Sequence, residues 1–440
     1  MLFHKNNAPD AAGEFGGLLV RRDERPLLYA VLGFQAVCML LLTFRGGSID
    51  RFALRMAFLL PLGTYALMKL ITKFWPVDRA LYLCTAFLSA LGIITLRSVC
   101  GDKAITQAMY LVPGAAALIF GILFSRLLTG ESKLRYLAMI GLVGFMLLPF
   151  FLPTGSDSKS WVKLGARQFQ PSELMKPVLI FILACGFSKG PRTNKWIGSA
   201  LFAALVCVII FLQKDLGAMF LYFMLTLAMF AVGTGRTKVA LLVLAGAAAV
   251  SVFLILNIDK FSFLSTVSKR IAIWKDPWQA KPDDAAQIIQ GLISVASGGL
   301  FGAGLGLSFA RKVYVVASDY IFAAVAEEFG MVFAVAVIGI FLVILIRGMN
   351  TALNARSRFH ALLSFGATFL LILQMLTIVM GNLKIIPLTG VTLPFVSGGG
   401  SSLVSSFLLM GMILGVSSIN AQDEYDDLMQ LRSEARRLRK

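Results

Sequence analysis

Charged and amide side chains gather at the start of one predicted helix in an otherwise apolar stretch. Glu173 and Lys176 are three residues apart, so they share one face of a helix, and Gln170 and Ser172 come just before them. Ionisable residues inside or beside membrane spans are costly, which makes them candidate functional groups. Two interpretations stay open: a substrate-binding cavity lined by these four residues, or a structural ion pair between Glu173 and Lys176.

Acidic residues recur at two later positions. Asp215 lies in a tight turn between two apolar runs, where it could line a cavity or cap the next helix. Asp319, Glu327 and Glu328 open the span that follows the longest loop. Glu327 is compatible with a place among lipid headgroups, whereas Glu328 lies deeper. We therefore expect Asp215, Asp319 and Glu328 to line the site.

The longest loop mixes both signs of charge. Its basic and acidic residues include Lys269, Arg270, Lys275, Lys281, Asp276, Asp283 and Asp284. They form either a solvated face or a site, and the clustering of polar groups on one side of the membrane favours a site. Cations such as Arg270 would hold a diphosphate-bearing lipid there, and one of the carboxylates could act as a general base.

A run of glycine and serine opens the last predicted span. Ser397 and Ser401 lie in this run, and serine hydroxyls together with backbone N–H groups could bind an anion at the helix N-terminus. Close packing of helices through small residues explains the same run equally well.

Composition places these residues in a membrane protein. The chain has 440 residues, of which 58% are hydrophobic and 15% charged, and its mean hydropathy is +0.81. A soluble domain carries about 25% charged residues. We therefore predict an all-α, polytopic transmembrane helix bundle of about 12 spans. The predicted spans are 26–44, 52–73, 79–97, 105–128, 135–153, 173–188, 196–212, 216–233, 239–257, 320–346, 360–380 and 401–419.

The distribution of charge predicts the orientation. The net charge is +18, and because basic residues in short connections favour the cytoplasm, their positions put both termini there. No soluble basic domain is present to hold a duplex, so we expect no nucleic-acid partner. Segments 154–172, 258–319 and 381–400 are then outside. In the second, a glycine-dense stretch at 288–307 predicts a re-entrant or surface-lying helix.

Four sequence blocks resemble the SEDS family (shape, elongation, division and sporulation), the RodA/FtsW/SpoVE proteins. The blocks are WVKLGARQFQPSELMK at 161–176, QKDLG at 213–217, the segment from QIIQ to EEFG at 287–330, and PLTGVTLPFVSGGGSS at 387–402. Their order and spacing agree with the family over about residues 79–420. The resemblance implies a SEDS-like core at 74–420. A cytoplasmic segment at 1–25 and two added helices at 26–73 precede it, and a cytoplasmic tail at 421–440 follows.

The resemblance implies a peptidoglycan glycosyltransferase of the bacterial cytoplasmic (inner) membrane. Such enzymes join lipid II units outside that membrane into undecaprenyl-diphosphate-linked glycan, usually in complex with a class B penicillin-binding protein. A sugar 4-hydroxyl attacks the anomeric carbon of a lipid-diphosphate donor, which requires a base and stabilisation of the leaving diphosphate. A divalent cation, Mg²⁺ or Mn²⁺, fits this chemistry, although no ligand set is visible. Membrane lipid is the remaining expected partner.

By position, Glu173, Lys176 and Asp215 match the polar groups of the family's central cavity. Lys214 stands where the family usually has proline, and Gly398 stands where it usually has tyrosine. The motifs do not separate a role in cell elongation from one in division or sporulation. Two rival functions stay open: a flippase for the lipid-linked precursor, and a catalytically inactive scaffold for a penicillin-binding protein.

The family's essential carboxylate lies in the large outer loop, in an Asp-Pro pair shortly after a first Asp/Asn-Pro pair. Here the first pair is present at Asp276, but the essential position falls on Ala280. Either a small local shift places Asp283 or Asp284 in the catalytic role, or Asp276 serves, or this member is inactive. We favour the shift, because loops tolerate changes of register.

Overall fold

A computed structural model describes residues 24–45, 47, 49–130, 133–152, 160–165, 167–190, 195–257, 265–280, 282–313 and 315–438. These residues form fifteen α-helices, one short hairpin and one 3-10 turn. The helices are α1 (Arg25–Phe44), α2 (Arg51–Phe74), α3 (Arg79–Val99), α4 (Gly101–Leu127), α5 (Leu134–Phe151), α6 (Pro171–Phe187), α7 (Lys195–Leu212), α8 (Leu216–Thr234), α9 (Thr237–Leu256), α10 (Ser265–Lys275), α11 (Pro282–Ser297), α12 (Ile321–Phe329), α13 (Met331–Leu353), α14 (Arg358–Asn382) and α15 (Gly400–Leu438). The antiparallel hairpin strands are β1 (Val162–Leu164) and β2 (Arg167–Phe169), and the 3-10 turn is Phe309–Lys312.

Ten of the described helices are long and apolar enough to cross a membrane. They are α1 to α5, α8, α9, α13, α14 and α15. Two more apolar helices lie between α5 and α8: α6 has 17 residues, and the apolar part of α7 is Trp196–Leu212. The chain is therefore an all-α, multi-pass membrane bundle, which confirms the predicted fold class. The last helix, α15, continues without a break through most of the segment 421–440.

Ion pairs connect helices at both ends of the bundle. At one end Arg97 pairs with Asp50 at 2.5 Å, and at the other Arg347 pairs with Asp78 at 2.8 Å. Each aspartate also caps a helix, since Asp50 accepts N–H bonds from the first turn of α2 and Asp78 from that of α3. We call the end with Asp50, which also carries the long connection between α9 and α12, the loop end. The end with Asp78 is the opposite end.

The single span predicted at 320–346 is wrong, because the chain breaks at Gly330 into α12 and α13. Gly330 has φ 87° and ψ 168°, a conformation that is essentially restricted to glycine. The break follows from backbone contacts made by the glycine-rich turn after α11. The N–H of Met331 donates to the carbonyl of Gly299 at 2.9 Å, and the N–H of Ala303 donates to the carbonyl of Glu327 at 2.8 Å.

The long connection at the loop end is largely helical where it is described. The helix predicted at 288–307 begins earlier, at Pro282, and ends at Ser297, because several of the glycines that follow adopt positive φ. Gly291 of α11 lies against the ring of Tyr320, so α11 packs on the start of α12.

Candidate functional site

The turn between α7 and α8 positions Asp215. Lys214 lies in the left-handed region at φ 62°. Its N–H donates to the carbonyl of Phe211 at 2.9 Å, and the N–H of Asp215 donates to the carbonyl of Ile210 at 3.3 Å. This pair of bonds is a Schellman motif at the end of α7. Proline can neither adopt this φ nor donate the first bond, so the lysine accompanies a turn that proline would exclude.

Both carboxylate oxygens of Asp215 have partners. Oδ1 accepts from the N–H of Ala218 at 3.0 Å and so caps α8, while Oδ2 accepts from the amide Nε2 of Gln170 at 2.6 Å. Asp215 is therefore a helix cap that also contacts a neighbouring polar side chain. Burial raises the pKa of the Asp215 carboxyl, the N–H of Ala218 opposes this, and the nearby carboxylate of Glu173 raises the pKa further.

Glu173 and Lys176 form an ion pair on the first turns of α6, with Nζ 2.6 Å from Oε1. Glu173 is 6% exposed and Lys176 is 0% exposed, so both charges are withdrawn from water. Loss of either partner would leave the other charge buried and uncompensated. The pair is also coupled electrostatically to Asp215, whose ionisation Glu173 opposes and Lys176 favours.

Ser172 lies beside this pair. Its carbonyl accepts from the hydroxyl of Tyr222 at 2.6 Å, and its own buried Oγ has no hydrogen-bond partner among the described residues. The structure thus brings five predicted site residues to one place. We call them the central cluster: Gln170, Ser172, Glu173, Lys176 and Asp215. With all three ionisable groups charged, the cluster has one net negative charge, because Lys176 offsets only one of two carboxylates.

The segment between α14 and α15 links the central cluster to the long connection. The carbonyl of Thr389 lies 2.5 Å from the position of a Cβ on Gly217, so this close approach requires glycine beside the turn of Asp215. The carbonyl of Leu388, the residue before Thr389, accepts a hydrogen bond from Nη1 of Arg270 at 3.4 Å. One short stretch of backbone therefore lies between Arg270 and the central cluster.

Asp319 also faces this segment, since its Oδ2 lies 3.8 Å from the position of a Cβ on Gly390. Burial raises the pKa of Asp319, while the hydroxyl of Ser318 and the guanidinium of Arg270 oppose the rise. Arg270 and Asp319 are thus electrostatic neighbours. Lys176 is already paired within the central cluster, and a diphosphate-binding role for Arg270 stays a prediction.

Of the three candidate bases, Asp276 lies in the connection between α10 and α11, and the other two lie at the start of α11. Asp276 is exposed, and its Oδ1 accepts from the N–H groups of Trp278 and Gln279 at 3.1 and 3.3 Å, so it closes a turn. The backbone of Asp283 and Asp284 lies in the first turn of α11, and their side chains lie outside the described part of the chain. The assignment of the base among them stays a prediction.

Ser397 forms hydrogen bonds that stabilise the segment leading into α15. Its Oγ donates to the carbonyl of Ser318 at 2.6 Å and accepts from the N–H of Leu393 at 2.9 Å. Ser401 lies buried on the first turn of α15. These contacts give Ser397 a structural role at the loop end, whereas an anion-binding role for either serine stays a prediction.

Glu327 does not face the lipid headgroups, because it is 0% exposed. Its Oε2 accepts from the hydroxyl of Ser308 at 2.8 Å and from the N–H of Ala310 at 3.0 Å. The carboxylate therefore caps the 3-10 turn at Phe309–Lys312.

Glu328 lies apart from the central cluster, in a second polar group. Its Oε1 accepts from the N–H of Gly306 at 3.1 Å and from the hydroxyl of Ser98. Its charged neighbours are Arg45 and Arg311. Neither arginine was predicted from the sequence to belong to a site. The signal was available, since Arg45 lies in a short connection predicted to be outside, where basic residues are disfavoured.

Within the described residues, no three His, Cys, Asp or Glu side chains come close enough to hold a metal ion. Mg²⁺ is commonly held by only one or two carboxylates, together with waters and substrate phosphates. Glu173 and Asp215 are two carboxylates that are electrostatically coupled in the central cluster, and a divalent cation stays a prediction.

The sequence matches the family model FTSW_RODA_SPOVE, described as a cell cycle protein, over residues 80–422. The peptidoglycan glycosyltransferase RodA of Mycobacterium tuberculosis (strain ATCC 25618 / H37Rv) is 30% identical over 388 residues, covering 79% of each chain. The probable peptidoglycan glycosyltransferase FtsW of Bacillus subtilis (strain 168) is 31% identical over 326 residues, covering 71% of this chain and 80% of that protein.

Two solved structures are similar in fold. The crystal structure of the rod shape determining protein RodA of Thermus thermophilus has 25% sequence identity and a TM-score of 0.53, covering 78% of this chain and 97% of that chain. A chain from a peptidoglycan synthase complex that coordinates polymerization and crosslinking has 24% identity and a TM-score of 0.64, covering 78% of this chain and 98% of that chain.

Proposed function

Because the chain belongs to the FtsW/RodA/SpoVE family, we propose that it is a peptidoglycan glycosyltransferase that polymerises lipid II into glycan strands for cell shape, division or sporulation. The observation that supports this most directly is the central cluster. It combines a buried ion pair with a third, coupled carboxylate, and it lies at the loop end within the matched residues 80–422. Preorganised charges of this kind suit a reaction that builds up charge on a leaving diphosphate.

The reaction forms a bond from the 4-hydroxyl oxygen of one sugar to the anomeric carbon of another. The bond from that carbon to the lipid diphosphate breaks, and the diphosphate leaves with the electron pair. The hydroxyl proton passes to one of the loop carboxylates of Asp276, Asp283 and Asp284. Arg270 offsets charge on the diphosphate. A Mg²⁺ or Mn²⁺ ion, when held by Glu173 and Asp215, supplies further charge stabilisation.

The loop end faces the outside of the bacterial cytoplasmic membrane in this proposal. Short connections at the opposite end carry many basic residues, and these favour the cytoplasm. They include Lys133, Arg135, Lys189, Arg236, Lys238, Arg356 and Arg358. Both termini then lie in the cytoplasm, and the central cluster meets a substrate presented on the outer face.

The proposed partner is a class B penicillin-binding protein. Support comes from the similar chain in the peptidoglycan synthase complex, which is described as coordinating polymerization with crosslinking. A polymerase that releases uncrosslinked strands requires a crosslinking enzyme to build a wall.

Polymerisation of lipid II by the purified full-length protein, together with its penicillin-binding partner, tests the proposal. Asp276→Asn, Asp283→Asn and Asp284→Asn are compared singly and together. Replacing the base should lower the rate about a hundredfold to ten-thousandfold, because an amide cannot accept the hydroxyl proton. Asp102→Asn is the matched control, since Asp102 is an exposed carboxylate at the same end of the bundle on α4.

Unchanged polymer formation by the triple variant would contradict the loop base. One observation favours the inactive scaffold as a second candidate: Ala280 occupies the ungapped position of the family's carboxylate. A scaffold binds the partner and yields no polymer with the wild-type protein. Translocation of lipid II across vesicles without polymer would instead indicate a flippase.

A further inference from the structure

A cavity at the loop end has a volume of about 590 Å³. It lies between the residues that join α1 to α2, the last turn of α3 and the 3-10 turn, which contributes Arg311. Four arginines line it: Arg45, Arg51, Arg97 and Arg311. We call it the arginine cavity. The only acid among its lining residues is Asp50, and Glu328, which accepts from the hydroxyl of the lining residue Ser98, is an electrostatic neighbour of Arg45.

Two of the four arginines are engaged by the protein. Arg97 pairs with Asp50 at 2.5 Å, and Nη2 of Arg311 donates to the carbonyl of Gly306 at 3.0 Å. The side chains of Arg45 and Arg51 make no hydrogen bond or ion pair with the described residues. Four cations therefore face two carboxylates, which leaves two positive charges in excess.

The cations in this cavity repel each other. Burial lowers the pKa of Arg45, the neighbouring Arg311 lowers it further, and Glu328 opposes the change. Gly306, at φ 81°, lies directly under the guanidinium of Arg45, where a Cβ would clash with it. The backbone thus makes room for a guanidinium in a place where other cations already accumulate. An anion would relieve this repulsion.

The surroundings of the cavity suggest the class of anion. Phe44, the last residue of α1, and Ile49, just before α2, are 67% and 62% exposed. Leu307 and Phe309, on either side of Ser308, are 64% and 62% exposed. Exposed apolar side chains at the end of a membrane bundle suit acyl chains, and guanidinium groups beside them suit a phosphate.

We propose that the arginine cavity binds the phosphate of an anionic lipid headgroup, with Arg45 and Arg51 as its principal ligands. The inference is independent of the proposed glycosyltransferase activity. Arg45, Asp50 and Arg51 precede residue 80, where the family match begins. The site therefore combines the added hairpin of α1 and α2 with Arg97 and Arg311 of the matched region, and none of its lining residues belongs to the central cluster.

Native mass spectrometry of the full-length protein in detergent tests the proposal. The probes are phosphatidylglycerol, phosphatidylcholine with the same acyl chains, and inorganic phosphate. Wild type should retain phosphatidylglycerol in preference to phosphatidylcholine, whose phosphate is neutralised by choline. Arg45→Gln with Arg51→Gln should weaken phosphatidylglycerol binding about tenfold or more, because charge-assisted bonds to phosphate are lost.

Arg55→Gln is the matched control, because Arg55 is exposed one turn further along α2 and does not line the cavity. It should bind phosphatidylglycerol as wild type does. If the double variant does not fold, Arg51→Gln alone should still weaken binding severalfold at an unchanged unfolding temperature. Equal binding by wild type and the arginine variants would overturn the proposal, as would an equal loss in Arg55→Gln. Inorganic phosphate that binds as tightly as phosphatidylglycerol would overturn its lipid part.

Discussion

The central cluster and the arginine cavity lie at the same end of the bundle, but they differ in whether their cations are paired with carboxylates. In the central cluster, the single cation Lys176 is fully buried and paired with Glu173 at 2.6 Å. In the arginine cavity, Arg45 and Arg51 are left without an ion pair among the described residues. The difference in burial explains the contrast. A fully buried charge requires a protein partner, whereas a partly exposed charge is stabilised by water until a ligand binds.

The difference also separates two kinds of function. A cluster with one excess negative charge suits a proton or a metal ion, and it is held rigid by a cap, an ion pair and the hydroxyl of Tyr222. A cavity with two excess positive charges suits an anion. The first lies within the family match, and the second depends on two helices that precede it.

The largest expected effect comes from breaking the buried pair. Lys176→Met removes the partner of Glu173 and should lower the free energy of unfolding by about 3–5 kcal/mol. Thermal or denaturant unfolding of the protein in detergent measures it. Lys163→Met is the control, because Lys163 is exposed on β1, and it should change stability by less than about 0.5 kcal/mol.

The double variant Glu173→Leu with Lys176→Met makes the comparison sharper. Removing both charges should recover much of the lost stability, because no unpaired charge is left. If Lys176→Met alone unfolds like wild type, water or a counter-ion reaches Glu173. The proposed difference in burial between the central cluster and the arginine cavity would then be contradicted.

A smaller effect, with a defined pH dependence, is expected at Asp215. Since burial raises the folded-state pKa of its carboxyl, the folded protein holds this proton more tightly than the unfolded chain does. The stabilising contribution is present below the unfolded pKa of about 3.9 and is lost as pH rises through the raised folded value. Wild type should therefore lose stability relative to Asp215→Asn as pH rises from about 4 towards neutrality.

Asp215→Ala separates this charge effect from the helix cap. Asparagine retains a side-chain oxygen that can cap α8, whereas alanine loses the cap at every pH, at about 0.5–2 kcal/mol. Unfolding midpoints of the three proteins across the pH range give the measurement. A difference between wild type and Asp215→Asn that is flat with pH would place this carboxyl in water.

Short sequence patterns predicted the features that depend on residues close together in the chain. Hydropathy located the spans, the three-residue spacing placed Glu173 beside Lys176, and the turn before α8 suggested the cap by Asp215. The break at Gly330 could not be read in this way, because the apolar run continues through it and the cause is hydrogen bonding from residues 299–303. The arginine cavity was also missed, because Arg311 meets Arg45 only through the tertiary fold.

The smallest expected effect on stability is at the arginine cavity, in contrast to the large effect expected at the central cluster. Arg51 is exposed and unpaired among the described residues, so Arg51→Gln should change the free energy of unfolding by less than about 0.5 kcal/mol in lipid-free detergent. Added phosphatidylglycerol should then stabilise wild type more than the variant, because a ligand that binds only the folded state adds to its stability. A large loss without lipid would mean that Arg51 is a structural residue like Lys176, and the two regions would no longer differ in kind.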